Sequence, residues 1–542
     1  MTDCTDECDL AELCTQRHWS IYWLIIAASV LFAAGRILTV GIDSGSGETT
    51  PMLSANDRSR WATVRSLVDL GTYEIDDVIT DNSIGINWDS IDKVQHLGVD
   101  DQPHFYSSKP TLLPTLVAAV YFVVKSATDL ELATNPMATV KIILLLVNAI
   151  PWLLFLCLLA ATLEKIQVRD WTRYFIVAAA GFATFLSTFV VSLNNHIPAA
   201  VCVMASLNCL VWIVKFNDQR WKTFAIAGLV SAFAVANELP ALSFFAIAAT
   251  VCLLKSPAKF LTGFLPAAAL EIGGFFYTNV LAHDDWRPPY AHKQDGELIE
   301  RFSDADFSIE LDEQKIPTPI RATIEPFELM APTVERANWP FQNDKTIDRW
   351  VIRDIRSNRF TIISSDSNEY ELRQWDNWYD YEGSYWTGKT KSDVDLGQPD
   401  SILYLFHVIF GHHGILSLTP IWLLSLAGLI ALVFSNKLQL RWLGIISLLL
   451  TAVVIGFYVF YIPAHDRNYG GFTSAFRWAF WLAPFWLLGM APVVDWMGRT
   501  KQGRAVCIIL LLLSGFSALY SADNPWTQPW LYQIWDVTGL PK

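Results

Sequence analysis

The sequence predicts an all-α polytopic membrane protein of about eleven transmembrane helices, with an extracytoplasmic insertion of possible α+β character. Three observations predict it. The 542-residue chain is 52% hydrophobic and 13% aromatic but only 17% charged, well below the roughly 25% charge of soluble domains. Apolar runs of membrane-spanning length recur along it. Lys and Arg gather in the short linkers between these runs. Such a composition excludes disorder and a disulfide scaffold, and a formal charge of −14 excludes a nucleic-acid partner, which needs clustered cations.

Apolar segments fall at about 20–41, 111–125, 139–163, 174–193, 197–214, 223–237, 240–254, 260–281, 413–435, 442–462, 475–493 and 505–521. The first comes after an acidic stretch, Met1 to Arg17, with no small-residue cleavage site behind it, so it reads as a retained anchor helix. Five short linkers hold 13 basic residues (Lys165, Arg169, Arg173; Lys215, Arg220, Lys222; Lys255, Lys259; Lys437, Arg441; Arg499, Lys501, Arg504) against four acids, and belong in the cytoplasm. They share a side with the N-terminus only if one early segment does not cross. The run 111–125, short, with Pro114 early and Lys125 at its end, suits a re-entrant or interfacial helix. Eleven spans remain, with the N-terminus inside and the C-terminus outside.

The resulting organisation is a cytoplasmic tail at 1–18, a helical core at 19–282 that includes an exterior loop at 43–110, an exterior insertion at 283–401, C-terminal spans within 402–521 and an exterior tail at 522–542. The loop carries 12 acids and 5 bases and the insertion 25 acids and 14 bases, so the negative charge lies outside. Arg349 to Ile363, β-branched around Ser357-Asn358, predicts strands in the insertion. Cys157, Cys202, Cys209, Cys252 and Cys507 fall in spans and Cys4, Cys8 and Cys14 in the tail, leaving the exterior segments without a thiol for a disulfide. The tail thiols, with His18, fit no paired zinc spacing.

Candidate site residues share the outer side, where ionisable groups at span ends are costly unless used. Asp57 opens an amphipathic stretch (Trp61, Val64, Leu67, Val68, to Gly71), as a base or simply as a helix cap. Lys109, before Pro110, is a phosphate contact or a snorkelling interface cation. Asn195 and His196 precede Pro198 in one outer turn and Glu238 precedes Pro240 in another; turn chemistry explains the Asn and Pro but not the His and Glu. Arg477, just inside a span, calls for an anionic partner. His407, His412 and His413 could hydrogen-bond substrate, bind a metal or pack at the interface. Trp375, Trp378, Tyr379, Tyr381, Tyr385 and Trp386, within twelve residues, stack on sugars or form an interfacial belt.

In order, these segments resemble the GT-C-fold glycosyltransferases that use polyprenyl-phosphate sugars, the group of protein O-mannosyltransferases and lipid A aminoarabinose transferases. The family's exterior Asp-Glu-x-x-Tyr is matched by Asp57-Arg58-Ser59-Arg60-Trp61 running to Gly71, and its Lys-Pro by Phe105 to Pro114 around Lys109-Pro110. Its later outer turns are matched by Asn194 to Pro198 and Ala236 to Pro240, and its late Arg-Tyr by Arg477-Trp478 with Pro484. Arg58 replaces the family's acidic second residue and Glu238 stands where Lys is frequent. The resemblance implies a multi-pass cell-membrane enzyme moving a sugar from a polyprenyl-phosphate donor to a protein, glycan or lipid acceptor outside the cytoplasm. It implies Asp57 as the base, and Lys109 and Arg477 as phosphate contacts; beside them Arg58, Asn195, His196, Glu238, His412 and His413 are read as further substrate contacts. No resident cofactor is implied, and use of a divalent metal is left open. The alternatives are a secondary transporter or lipid flippase, against which stand the missing repeat and the outer position of the polar groups, and a scaffold, for which eleven spans are more than anchoring needs.

Overall fold

The computed structural model describes residues 4–43, 48–303, 307–336, 348–355, 359–365, 369–386 and 391–540. The side chains of Cys4, Cys8, Cys14 and His18 and the Ser357-Asn358 turn lie outside the described residues.

The chain is a helical membrane protein. Among the described residues seven helices are long and apolar enough to cross a membrane: α1 (Trp19–Thr39), α4 (Pro136–Ile166), α5 (Asp170–Phe189), α6 (His196–Lys215), α9 (Pro257–His283), α11 (Leu438–Tyr461) and α14 (Lys501–Tyr520). An eighth forms if α12 (Arg477–Gly489) and α13 (Ala491–Met497), bent by 42° where Pro492 lies just past Met490, act as one. The other apolar helices, α3 (Leu112–Thr128), α7 (Trp221–Asn237), α8 (Leu239–Lys255) and α10 (Trp422–Val433), are shorter. At 1.5 Å per residue, 12 to 17 residues reach roughly 18 to 26 Å, less than a hydrocarbon core. Their apolar faces pack into the common core, which includes Phe224, Phe244 and Leu429.

The segment expected not to cross is α3. It runs beside α2 (Ala55–Asp69), and the two are tied at matching ends: Tyr121 Oη and Lys125 Nζ each meet Asp69 Oδ1 at 3.0 Å. Between them lies an antiparallel hairpin, β1 (Lys93–Leu97) and β2 (Pro103–Ser107). Its register sets Lys93 opposite Ser107, and so brings Asp92, just before β1, beside Ser108-Lys109, just after β2. The Ser108 N–H closes this end of the hairpin on Asp92 O at 3.0 Å.

The insertion holds a five-stranded antiparallel sheet, β3 (Lys293–Phe302), β4 (Thr333–Arg336), β5 (Asp348–Arg353), β6 (Arg359–Ser365) and β7 (Glu369–Asn377), in the order β3-β7-β6-β5-β4. The strands expected around 349–363 are β5 and β6. Trp350, Ile352, Phe360, Ile362, Tyr370 and Leu372 alternate onto one face and bury Leu311, Ile320 and Ile324 from two short helices in a core of their own.

Candidate active site

One cavity of about 1070 Å³ is lined by four of the expected site residues. Its polar wall includes Asp92, Lys109, Asn195, Glu238 and Arg477. Its apolar wall comes from the start of α8 and the end of α11, among them Leu242, Ala246, Val453 and Phe457. Leu242 and Val453 are 52% and 47% exposed, so this wall is open rather than packed into the bundle core. Lys293 from β3, with Trp386 and Asp395 from the chain beyond the sheet, lines the cavity as well, which brings the insertion to the same space.

Lys109 is held by the hairpin. Its Nζ lies 3.0 Å from Asp92 Oδ2, with both side chains largely buried. Burial pulls its pKa down to about 8, against the pull of Asp92; the positive charges of Arg60 and Arg477 lower it further. Three cations from distant positions therefore crowd one place, balanced in part by Asp92. Such a cluster favours a multiply charged anion.

Arg477 is held differently. Its Nε donates to Gly470 O at 2.9 Å, and its Nη1 meets His196 Nε2 at 2.9 Å. Gly470 has φ +101°, and a Cβ there would fall 2.1 Å from Arg477 Nε, so only glycine fits. A guanidinium can only donate, hence His196 Nε2 accepts and its Nδ1 carries the proton, which it donates to Glu238 Oε1. Asn195 Nδ2 donates to the same Glu238 oxygen at 2.7 Å, while its Oδ1 accepts from Arg60 Nη2 at 2.9 Å. One buried carboxylate, Glu238, thus anchors two arginines through two neutral side chains. The guanidinium of Arg477 lies over Trp526, 5.0 Å from the ring centroid.

No family model matches the sequence, and no curated protein matches it. Two solved sugar-transfer enzymes are similar to it. One is the S. cerevisiae protein O-mannosyltransferase Pmt1-Pmt2 complex bound to the sugar donor: 12% identity, TM-score 0.44, over 96% of this chain and 92% of that one. The other is the archaeal oligosaccharyltransferase AglB from Archaeoglobus fulgidus, in complex with an inhibitory peptide and a dolichol-phosphate: 12% identity, TM-score 0.42, over 96% of this chain and 57% of that one. Both are GT-C-fold enzymes.

Not every expected residue reaches the cavity. Asp57 is fully buried behind its lining segment, Leu53 to Asn56. It is the third residue of a capping box: Ser54 caps α2, and the Asp57 carboxylate accepts the N–H of Leu53 at 3.0 Å and of Ser54 at 2.8 Å. Both of its oxygens face backbone donors, and Asp57 does not itself line the cavity. Arg58 donates to Asp89 O at 2.8 Å and does not line the cavity. His412 and His413 are buried elsewhere, His413 stacked on Tyr469 at 4.0 Å, with its Nε2 3.0 Å from Thr473 O. Neither lines the cavity, and among the described residues no group of three His, Cys, Asp or Glu is placed to hold a metal.

Sequence reasoning missed Asp92, Lys293, Asp395 and Asp466 in the lining. Asp92 sits in the acidic 43–110 loop with no motif around it, and only the hairpin register brings it to Lys109. Arg60 did carry a signal, at helical spacing from Asn56, whose backbone oxygen its Nη1 reaches at 3.0 Å.

Proposed function

We propose that this chain is a membrane glycosyltransferase that moves a sugar, with inversion, from a polyprenyl-phosphate donor to a hydroxyl of a protein, glycan or lipid acceptor. The observation that carries the reading is the joining, in one cavity, of Lys109 and Arg477 with an apolar wall from α8 and α11. The cations suit the donor phosphate and the α8–α11 wall suits its isoprenoid chain. The reading includes eleven crossings with the N-terminus in the cytoplasm and the cavity on the opposite side of the cell membrane.

A polyprenyl phosphate is a good leaving group, so the C1–O(phosphate) bond breaks without an acid once cations hold the phosphate. The acceptor oxygen forms its bond to C1 from the opposite face and gives its proton to one base, so a single carboxylate suffices. We assign that base to Asp92, the carboxylate beside Lys109 in the cavity, rather than to Asp57. When phosphate takes Lys109, Asp92 loses its partner and becomes free to accept the proton.

Vesicles carrying the full chain, supplied with radiolabelled polyprenyl-phosphate sugar, test both statements. Asp92→Asn is expected to bind donor and fail to transfer, while Asp57→Asn transfers. The opposite pattern would return the base to Asp57; wild-type vesicles that transfer nothing from any such donor would overturn the function itself.

A further inference from the structure

At the other end of the bundle lies a second cleft, of about 460 Å³, lined by Arg169, Trp171, Asp495, Gly498, Arg499 and Arg504 together with Asp170. It is a helix length from the cavity: α14 starts beside Arg504 and its 20 residues lead back toward Trp526 in the cavity wall, a rise of roughly 30 Å. The proposed reaction makes no use of it.

Its three guanidinium groups are only partly neutralised. Arg169 Nε and Arg499 Nη2 share Asp495 at 3.6 and 3.9 Å, beyond hydrogen-bond length. Asp495 Oδ1 is already engaged by the Arg169 N–H and the Thr172 hydroxyl, both at 3.2 Å. The other acid, Asp170, faces Arg173 at 3.8 Å. Arg504 spends its Nε on Gly498 O at 2.7 Å and lies over the Trp171 ring at 5.2 Å, so its planar Nη edge is held rather than left to wander. A fixed fork of donors beside two half-exposed arginines matches the oxygens of a phosphate.

The depth of the cleft identifies where that phosphate comes from. It lies where α5 begins and where the turn from α13 to α14 falls, so three apolar helices end around it. Trp496, next to Asp495, is 67% exposed there, as an indole at headgroup level is. We propose that this cleft binds the phosphodiester headgroup of an anionic membrane phospholipid on the face opposite the cavity.

The test is native mass spectrometry of the full chain released from nanodiscs of equal phosphatidylglycerol and phosphatidylcholine. Wild-type chain is expected to retain one phosphatidylglycerol in preference to phosphatidylcholine. Arg499→Gln, at an exposed position that does not threaten folding, should cut that preference about fivefold, and Arg499→Gln with Arg504→Gln should abolish it. Arg220→Gln, an exposed cation outside the cleft, should leave it unchanged. Equal retention of the two lipids by the wild type, or undiminished preference in the double variant, would overturn the proposal. So would displacement of the lipid by millimolar inorganic phosphate, which would make this a site for the free ion. None of these readouts depends on sugar transfer.

Discussion

Two cations of the cavity wall, Lys109 and Arg477, are held in opposite ways. Lys109, from the 43–110 loop, meets a carboxylate directly. Arg477, from the start of a late helix, meets Glu238 only through the neutral ring of His196. A direct pair is an exchangeable one, since an incoming phosphate can replace Asp92 on a compact ammonium that keeps its other donors free. A relayed arginine keeps its supports when the ligand arrives, because Gly470 O and His196 occupy Nε and Nη1 and leave the other side of the fork. On the proposed reading, one side of the phosphate site therefore changes partner on binding while the other is built in advance.

Removing either cation is the harshest way to break this contrast. Lys109→Ala and Arg477→Ala are each expected to lower kcat/KM for transfer by about 10² to 10³, the usual loss for one preorganised donor to a developing anion. The conservative exchange separates them. Arg477→Lys should lose nearly as much as the alanine variant, because one ammonium cannot meet Gly470 and His196 and still present a donor. Recovery of most activity in Arg477→Lys would mean that charge alone matters and the relay does not.

Next in size is Glu238→Gln, expected to cost about tenfold in transfer. Glutamine can still accept from His196 and Asn195, so the fold stands, but the negative charge that steadies both Arg477 and Arg60 is gone. A variant as active as the wild type would show the relay to be packing alone.

This contrast also explains what could be read in the sequence. The helical membrane architecture was legible because lipid imposes long apolar runs, though only seven or eight of the helices among the described residues are long enough to cross; Lys109, Glu238 and Arg477 were legible because an ionisable residue beside an apolar run is conspicuous. The roles of Asp57 and Asp92 were not. Both are ordinary acids in an acid-rich loop, and what separates them is local backbone geometry: a Ser54 cap that turns Asp57 inward, and a β1–β2 register that carries Asp92 to Lys109. His412 and His413 drew notice for the same reason that Lys109 did; both pack on the Tyr469 ring, which lies nearly sixty residues on and leaves no local trace.

A smaller effect tests the exchangeable side alone. With its pKa near 8 in the donor-free state, Lys109 is charged below that pH and loses its proton above it. Donor binding should weaken by about fivefold between pH 8 and pH 9. The loss belongs in kcat/KM, which reports the free enzyme, and not in kcat, since bound phosphate restores the charge. Lys109→Arg should abolish the decline. A profile that is flat to pH 9 would mean that Asp92 holds the ammonium more firmly than an exchangeable pair should.

The smallest expected effect on transfer, at Asp57→Asn, comes with a change in stability whose sign is fixed. Burial raises the Asp57 carboxyl from 3.8 to about 6, even though the Ser54 and Leu53 N–H groups and Arg58 favour its charged form. The folded chain therefore holds this proton more tightly than the unfolded chain does. The ionised carboxylate costs about 3 kcal/mol of stability above pH 6, and that cost is relieved as pH falls from 6 toward 4. Asparagine carries no such charge, but it offers one acceptor where the carboxylate offered two, so it gives up part of the capping box at every pH. Thermal unfolding in detergent should then show the wild type gaining on Asp57→Asn as the pH drops from 7 to 4. If the two curves run parallel through that window, Asp57 is ionised without penalty, and a carboxylate that settles so easily behind the wall could also turn outward and compete with Asp92 for the acceptor proton.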